Sequence, residues 1–89
     1  MANQQLTGLD YKIQEMAGRI RELREISGFT PAEMAGKTGV SIEEYLLCEA
    51  GGSNLTFAFL YRCALAFGVD VTDLIEGQFR SNPRLFRRC

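Results

Sequence analysis

The chain contains no histidine, which removes the commonest general base and the commonest zinc-binding nitrogen together. Its three cysteines, Cys48, Cys63 and Cys89, are odd in number and include no C-x-x-C pair. Neither a zinc site nor a disulfide framework is expected. Cys48 and Cys63 fall at apolar-face positions of expected helices and read as buried structural thiols, whereas Cys89 is terminal and expected to be exposed. No apolar run approaches the roughly 20 residues that a membrane span needs, and the start MANQQLTG lacks the charged and apolar regions of a signal peptide. A cytoplasmic protein without membrane, metal or cofactor follows. No carboxylate pair marks a recognisable pocket and no glycine-rich phosphate loop follows a strand, so an enzyme is not expected. Repeats and low-complexity tracts are absent too, and no stretch alternates for long enough to pair as a strand.

What is present is enough for one domain. The chain has 89 residues, 46% of them hydrophobic and 10% aromatic, which excludes wholesale disorder. The net charge of −1 conceals an uneven distribution. Residues 1–15, an extension leading into the first helix, sum to −1. Residues 16–77, the expected folded domain, carry five basic and nine acidic side chains, a balance of −4. Residues 78–89 form a tail with Arg80, Arg84, Arg87 and Arg88, a charge of +4. Broken by Pro83 and without amphipathic period, this tail is expected to add little stability.

Helical signals recur along the domain. Thr7 with Asp10 opens a helix over 8–27, in which Leu9, Ile13, Met16, Ala17, Ile20, Leu23 and Ile26 recur at helical spacing and Gly28 closes it. Its first turns are either a frayed or solvated lead-in or a partner or dimer contact through Leu9, Tyr11 and Ile13. Thr56 caps a fourth helix with Phe57, Leu60, Cys63, Ala64 and Phe67 on its inner face and Gly68 at its end, while Asp70 with Asp73 starts a fifth from Val71 to Glu76. The fold class is all-α, with five helices.

The stretch between them, TPAEMAGKTGVSIEEYLLCEAG, organises the rest. Thr30 and Glu33 make an S/T-x-x-E capping box with Pro31 in the first helical position, and Ser41 with Glu44 makes another. Two short helices, 31–37 and 42–50, are thereby set, with Gly39 in the left-handed conformation between them and Val40 as a staple toward Tyr45. A turn of about three residues forces a steep crossing, which suits a helix-turn-helix DNA reader. Tyr45, Cys48, Met34, Val40, Leu60, Ala64 and Leu74 are the expected core.

The order of these signals, with Arg24, Gly28, Thr30, Glu33, Ala35, Thr38, Gly39, Val40, Ser41, Glu49, Gly51, Ala64, Ala66, Gly68, Val69 and Leu74 in register, resembles the lambda-repressor-like helix-turn-helix domain of the Xre family over residues 16–77. Within it the chain looks most like the N-terminal domain of regulators that carry a sensing cupin barrel. The resemblance implies a compact five-helix domain and a sequence-specific transcriptional regulator that binds double-stranded DNA as a dimer. It also implies that Arg24 and Glu49 join the first helix to the third by a structural ion pair, and that Ala35 allows the second and third helices to approach closely. Recognition helix 42–50 would then face base edges with Ile42, Glu43, Glu44 and Leu47, while Thr30, Ser41 and Lys37 approach phosphates, helped by Arg19 and Arg21 if they face the same side. The acidic start departs from the family's pattern of Gln, Asn, Arg or Lys. That departure and the acidic domain support the alternative, a protein-interaction module that kept the fold with weak or no DNA binding. Glu43 and Glu44 also have a plain role as helix-start acids that complement the dipole.

Overall fold

A computed structural model describes residues 8–52 and 55–77, which form five helices with no strand among them. They are α1 (Gly8–Ser27), α2 (Pro31–Thr38), α3 (Ile42–Glu49), α4 (Phe57–Phe67) and α5 (Val71–Glu76). The ends follow from capping chemistry. Thr30 and Glu33 form the full reciprocal box at α2: the Glu33 amide donates to Thr30 Oγ1 at 3.1 Å and the Thr30 amide to Glu33 Oε1 at 2.8 Å. At α3 the Glu44 amide donates to Ser41 Oγ at 3.0 Å, and at α4 the Phe59 amide donates to Thr56 Oγ1 at 3.1 Å. Asp70 occupies the N-cap of α5 with no side-chain cap bond, so the sequence signal there places the start without the expected hydrogen bond. Helix α2 runs one residue longer than the spacing suggests and α3 one shorter, with Ala50 as its C-cap.

The core is one cluster to which every helix contributes: Met16, Ile20 and Leu23 from α1, Met34 and Ala35 from α2, Tyr45 and Cys48 from α3, Leu74 from α5, and five residues of α4. Burying side chains of this size stabilises by about 1.5–3 kcal/mol for each larger one, against the entropy of ordering the chain. Three expectations need correction. Val40 is half-buried and packs against the cluster instead of lying within it. Phe57 does not reach the core: it is 62% exposed, and Phe59, with its ring 6.0 Å from that of Tyr45, takes the inner position. The inner face of α4 therefore reads Phe59, Leu60, Cys63, Ala64 and Phe67, a stripe rotated away from Phe57. Along α1 burial begins only at Met16, and Leu9 and Ile26 are exposed.

Cys48 and Cys63 are free and buried. Burial, assisted by the neighbouring Cys48 and Glu49, pushes the Cys63 thiol up to about 12, so it stays protonated and inert. Cys89 and the arginine tail lie outside the described residues, as does the residue 1–7 part of the extension.

Candidate nucleic-acid interface

The α2–α3 unit is built around a turn that only a left-handed residue can close. Gly39 has φ 76°, and its amide and that of Val40 both donate to Ala35 O, at 2.9 and 3.1 Å. Ala35 is buried beside this turn as part of the core cluster. Thr38, also buried, turns its hydroxyl back to Met34 O at 2.7 Å and so needs no outside partner. The result is a rigid step that fixes the direction in which α3 leaves.

The register of α3 is locked from behind by charge as well as packing. Arg24 meets Glu49 through Nε–Oε2 at 2.6 Å and Nη2–Oε1 at 3.3 Å, and it donates through Nη1 to Phe29 O at 3.0 Å. Tyr45 Oη donates to the same Glu49 Oε2 at 2.8 Å. Both charged side chains are nearly covered, at 13% and 8% exposure. The hydrogen bond to Glu49 raises the Arg24 pKa further above its ordinary range, against the opposing effect of burial. Burial first, and then the bond to Glu49, push the Tyr45 phenol up as well. The pair that the resemblance implies thus forms, with a tyrosine as its third member.

With Tyr45, Cys48 and Glu49 inward, α3 presents Ile42, Glu43, Leu46 and Leu47 outward; Ile42 and Leu47 are about half exposed. Leu46 was not singled out by the sequence reading, although its position four residues after Ile42 on the same face carries the signal. Glu44 sits differently from Glu43: it is half-buried, and its Oε2 lies 3.7 Å from Cys48 Sγ. Of the two acids only Glu43 stands clear of the helix. At the start of α2 the cap occupies the Thr30 and Glu33 amides and Pro31 has none, whereas at α3 the Ile42 and Glu43 amides remain outside the cap bond.

The basic groups are distributed otherwise than expected. Lys37 does not project freely: its Nζ lies 4.7 Å above the Phe29 ring. Arg19 is unavailable as a phosphate ligand, since its Nη1 donates to Leu74 O at 2.6 Å and Ile75 O at 3.1 Å and its Nη2 pairs with Glu15 at 2.8 Å. It is instead the cap of α5. Arg21 is exposed on α1. Arg62, the single charge in α4, was passed over by the sequence reading; its Nη1 donates to Thr38 O at 3.1 Å beside the Gly39 turn. A shallow depression of about 250 Å³ lies between Lys37, Arg62, Leu65 and Ala66. Among the described residues no group of three His, Cys, Asp or Glu side chains could hold a metal ion, and no helix is long and apolar enough to cross a membrane.

Comparison with known proteins agrees with this geometry. A protein of Archaeoglobus fulgidus named as an uncharacterized HTH-type transcriptional regulator is 37% identical over 59 residues, covering 66% of this chain and 84% of the relative. No solved structure matches the chain. The family model described as a helix-turn-helix domain matches residues 17–78, a span that takes in α2 to α5 whole and α1 from Ala17 onward. The chain belongs to the helix-turn-helix domain family.

Proposed function

We propose that this protein is a sequence-specific DNA-binding transcriptional regulator of the lambda-repressor-like, Xre kind, related to the N-terminal domain of cupin-containing regulators, cytoplasmic and not an enzyme. The observation that carries this reading is the α2–Gly39–α3 step, which holds α3 with one face in the core and the other exposed among the described residues. An exposed helix fixed at its start by a rigid turn and at its end by the Arg24–Glu49–Tyr45 cluster is suited to insertion in a major groove. In that pose Ile42, Leu46 or Leu47 touches a thymine methyl, and Glu43 accepts from a cytosine amino group. The Ile42 and Glu43 amides, the Ser41 hydroxyl, Lys37 and Thr30 approach phosphates, with Arg62 added beside the turn. A dimer on a two-fold site completes the arrangement.

The unpaired carboxylate of Glu43 opposes phosphate binding by an amount on the order of a kcal/mol at intermediate dielectric, and screening by salt reduces it. Glu43→Gln therefore strengthens binding to a random duplex about fivefold at low salt, with a smaller gain at physiological salt. On duplexes selected from genomic fragments the same change weakens discrimination at one base pair, by about 1–3 kcal/mol if Glu43 reads a cytosine. Fluorescence anisotropy across a salt series measures both. If neither form binds either duplex at low salt, DNA is not the partner.

The second reading, a protein-interaction module, draws on the same face. Three aliphatic side chains around one acid, in a folded part with a balance of −4, would suit a basic protein partner, and DNA binding without salt dependence or none at all would favour it.

A further inference from the structure

Of the peptide units in the step from α2 to α3, the one joining Thr38 to Gly39 is held at both ends. Its N–H donates to Ala35 O at 2.9 Å, as part of the C-cap of α2. Its carbonyl, Thr38 O, accepts from Arg62 Nη1 at 3.1 Å, across 24 residues of sequence and from a different helix. The final carbonyls of a helix are otherwise left to solvent and carry its negative pole, so a guanidinium there makes a charge-assisted bond. The same nitrogen closes on the turn itself: a Cβ at Gly39 would stand 3.0 Å from it. Lys37, beside Thr38 in the chain, is directed to the Phe29 ring and leaves this carbonyl to Arg62.

We infer that Arg62 is a positioning residue for the reading helix: from α4 it fixes the peptide plane from which α3 is set off, and through it the pose of Ile42 and Glu43. What those side chains face rests on the DNA reading; what holds them does not. The two ends of α3 are secured by different means. Its second half is tied down by Tyr45 and Cys48 in the core and by Glu49 on Arg24. Ile42 and Glu43, in its first turn, are exposed and outside the core cluster, so they take their place from the step before them.

Contacts to base edges need placement to about 0.5 Å and about 10–20°. Glycine puts no side chain in the way of a change in φ, so with only the N–H end of that peptide held, a rotation of this size at Gly39 meets little resistance. Arg62 supplies the second hold. A contact to phosphate acts equally on every sequence, whereas the pose of Ile42 and Glu43 acts only on the sequence they fit. The guanidinium on Thr38 O therefore serves discrimination, apart from whatever its charge adds to affinity.

Fluorescence anisotropy on a selected and a random duplex across a salt series, with amide hydrogen exchange on the free full chain, tests this in Arg62→Met and Arg62→Lys. In Arg62→Met the ratio of affinities for the two duplexes should fall by at least about fivefold, and exchange at the Gly39 and Val40 amides should quicken about tenfold, as expected for one lost bond to a charged donor, with the α5 amides unchanged. Arg62→Lys keeps the charge and a donor, and should hold the salt slope of the wild type and recover part of the ratio. Equal losses on both duplexes would assign Arg62 to phosphate alone and overturn the inference. So would unaltered exchange at Gly39 and Val40, or exchange quickened as much in α5 as in the turn, which is a loss of stability throughout. If the wild type binds neither duplex at low salt, it is the DNA reading that fails, and the exchange pattern still decides whether Arg62 holds the turn.

Discussion

Replacing Arg24 by methionine leaves the Glu49 carboxylate with Tyr45 Oη as its remaining close partner at only 8% side-chain exposure. Three charge-assisted bonds disappear together: two to Glu49 and one to Phe29 O, the carbonyl that leads from α1 into α2. Breaking a buried pair from one side costs about 3–5 kcal/mol, chiefly for the charge left behind. A domain of this size loses about 4–8 °C of Tm per kcal/mol, so the expected fall is at least about 12 °C. Glu49→Gln keeps an acceptor for Tyr45 Oη and for Arg24, and should cost less, about 1–2 kcal/mol. The double variant removes both charges, and its loss should be smaller than the sum by at least about 1.5 kcal/mol. Urea denaturation followed by circular dichroism on the four proteins closes the cycle. Additivity within about 0.5 kcal/mol, or a cost for Arg24→Met below about 1 kcal/mol, would show a pair as solvated as one on the surface and would refute the reasoning.

Three further outcomes are expected. Cys63 holds its proton more tightly in the fold than in the unfolded chain, so its contribution is whole below its ordinary value of 9.0 and is lost as the pH climbs toward about 12, at about 1.4 kcal/mol per unit; Tyr45 joins from 10.0 upward, and Cys63→Ala should delay the onset of alkaline unfolding by about one pH unit in a urea series. Arg19→Met, which releases Leu74 O and Ile75 O, should cost about 1–2 kcal/mol and accelerate amide hydrogen exchange in α5 more than in α2 or α3. Deleting residues 78–89 should move the Tm by less than about 4 °C, as differential scanning calorimetry will show.

Most of the fold was legible because its boundaries are written in local chemistry. Thr30, Ser41 and Thr56 each bind an amide three residues on, and such a bond depends on nothing distant. The inner face of α4 was harder to read, since a helix apolar on both sides gives periodicity little to choose from, and Phe57 was placed inward where Phe59 belongs. The site residues show the same division. Ile42, Glu43 and Leu47 face outward because Tyr45, Cys48 and Glu49 face in, a phase that the sequence contains. The roles of the cations depend on partners far along the chain: Arg19 reaches carbonyls 55 and 56 residues away, Arg62 a carbonyl 24 residues away, and Lys37 a ring outside its own helix. Spacing within a helix cannot report such partners.

The Arg19 bridge has a mechanical consequence. It ties the middle of the first helix to the carbonyl end of the last, across 55 and 56 residues of sequence. Six residues of helix are too few to hold a direction unaided. With two of its carbonyls clasped, α5 takes its direction from α1 as well as from its packing in the core. The same first helix holds α3 through Arg24 and Glu49, so a displacement of α5 would reach the reading surface through one rigid element, with Arg19 at one contact and Arg24 at the other.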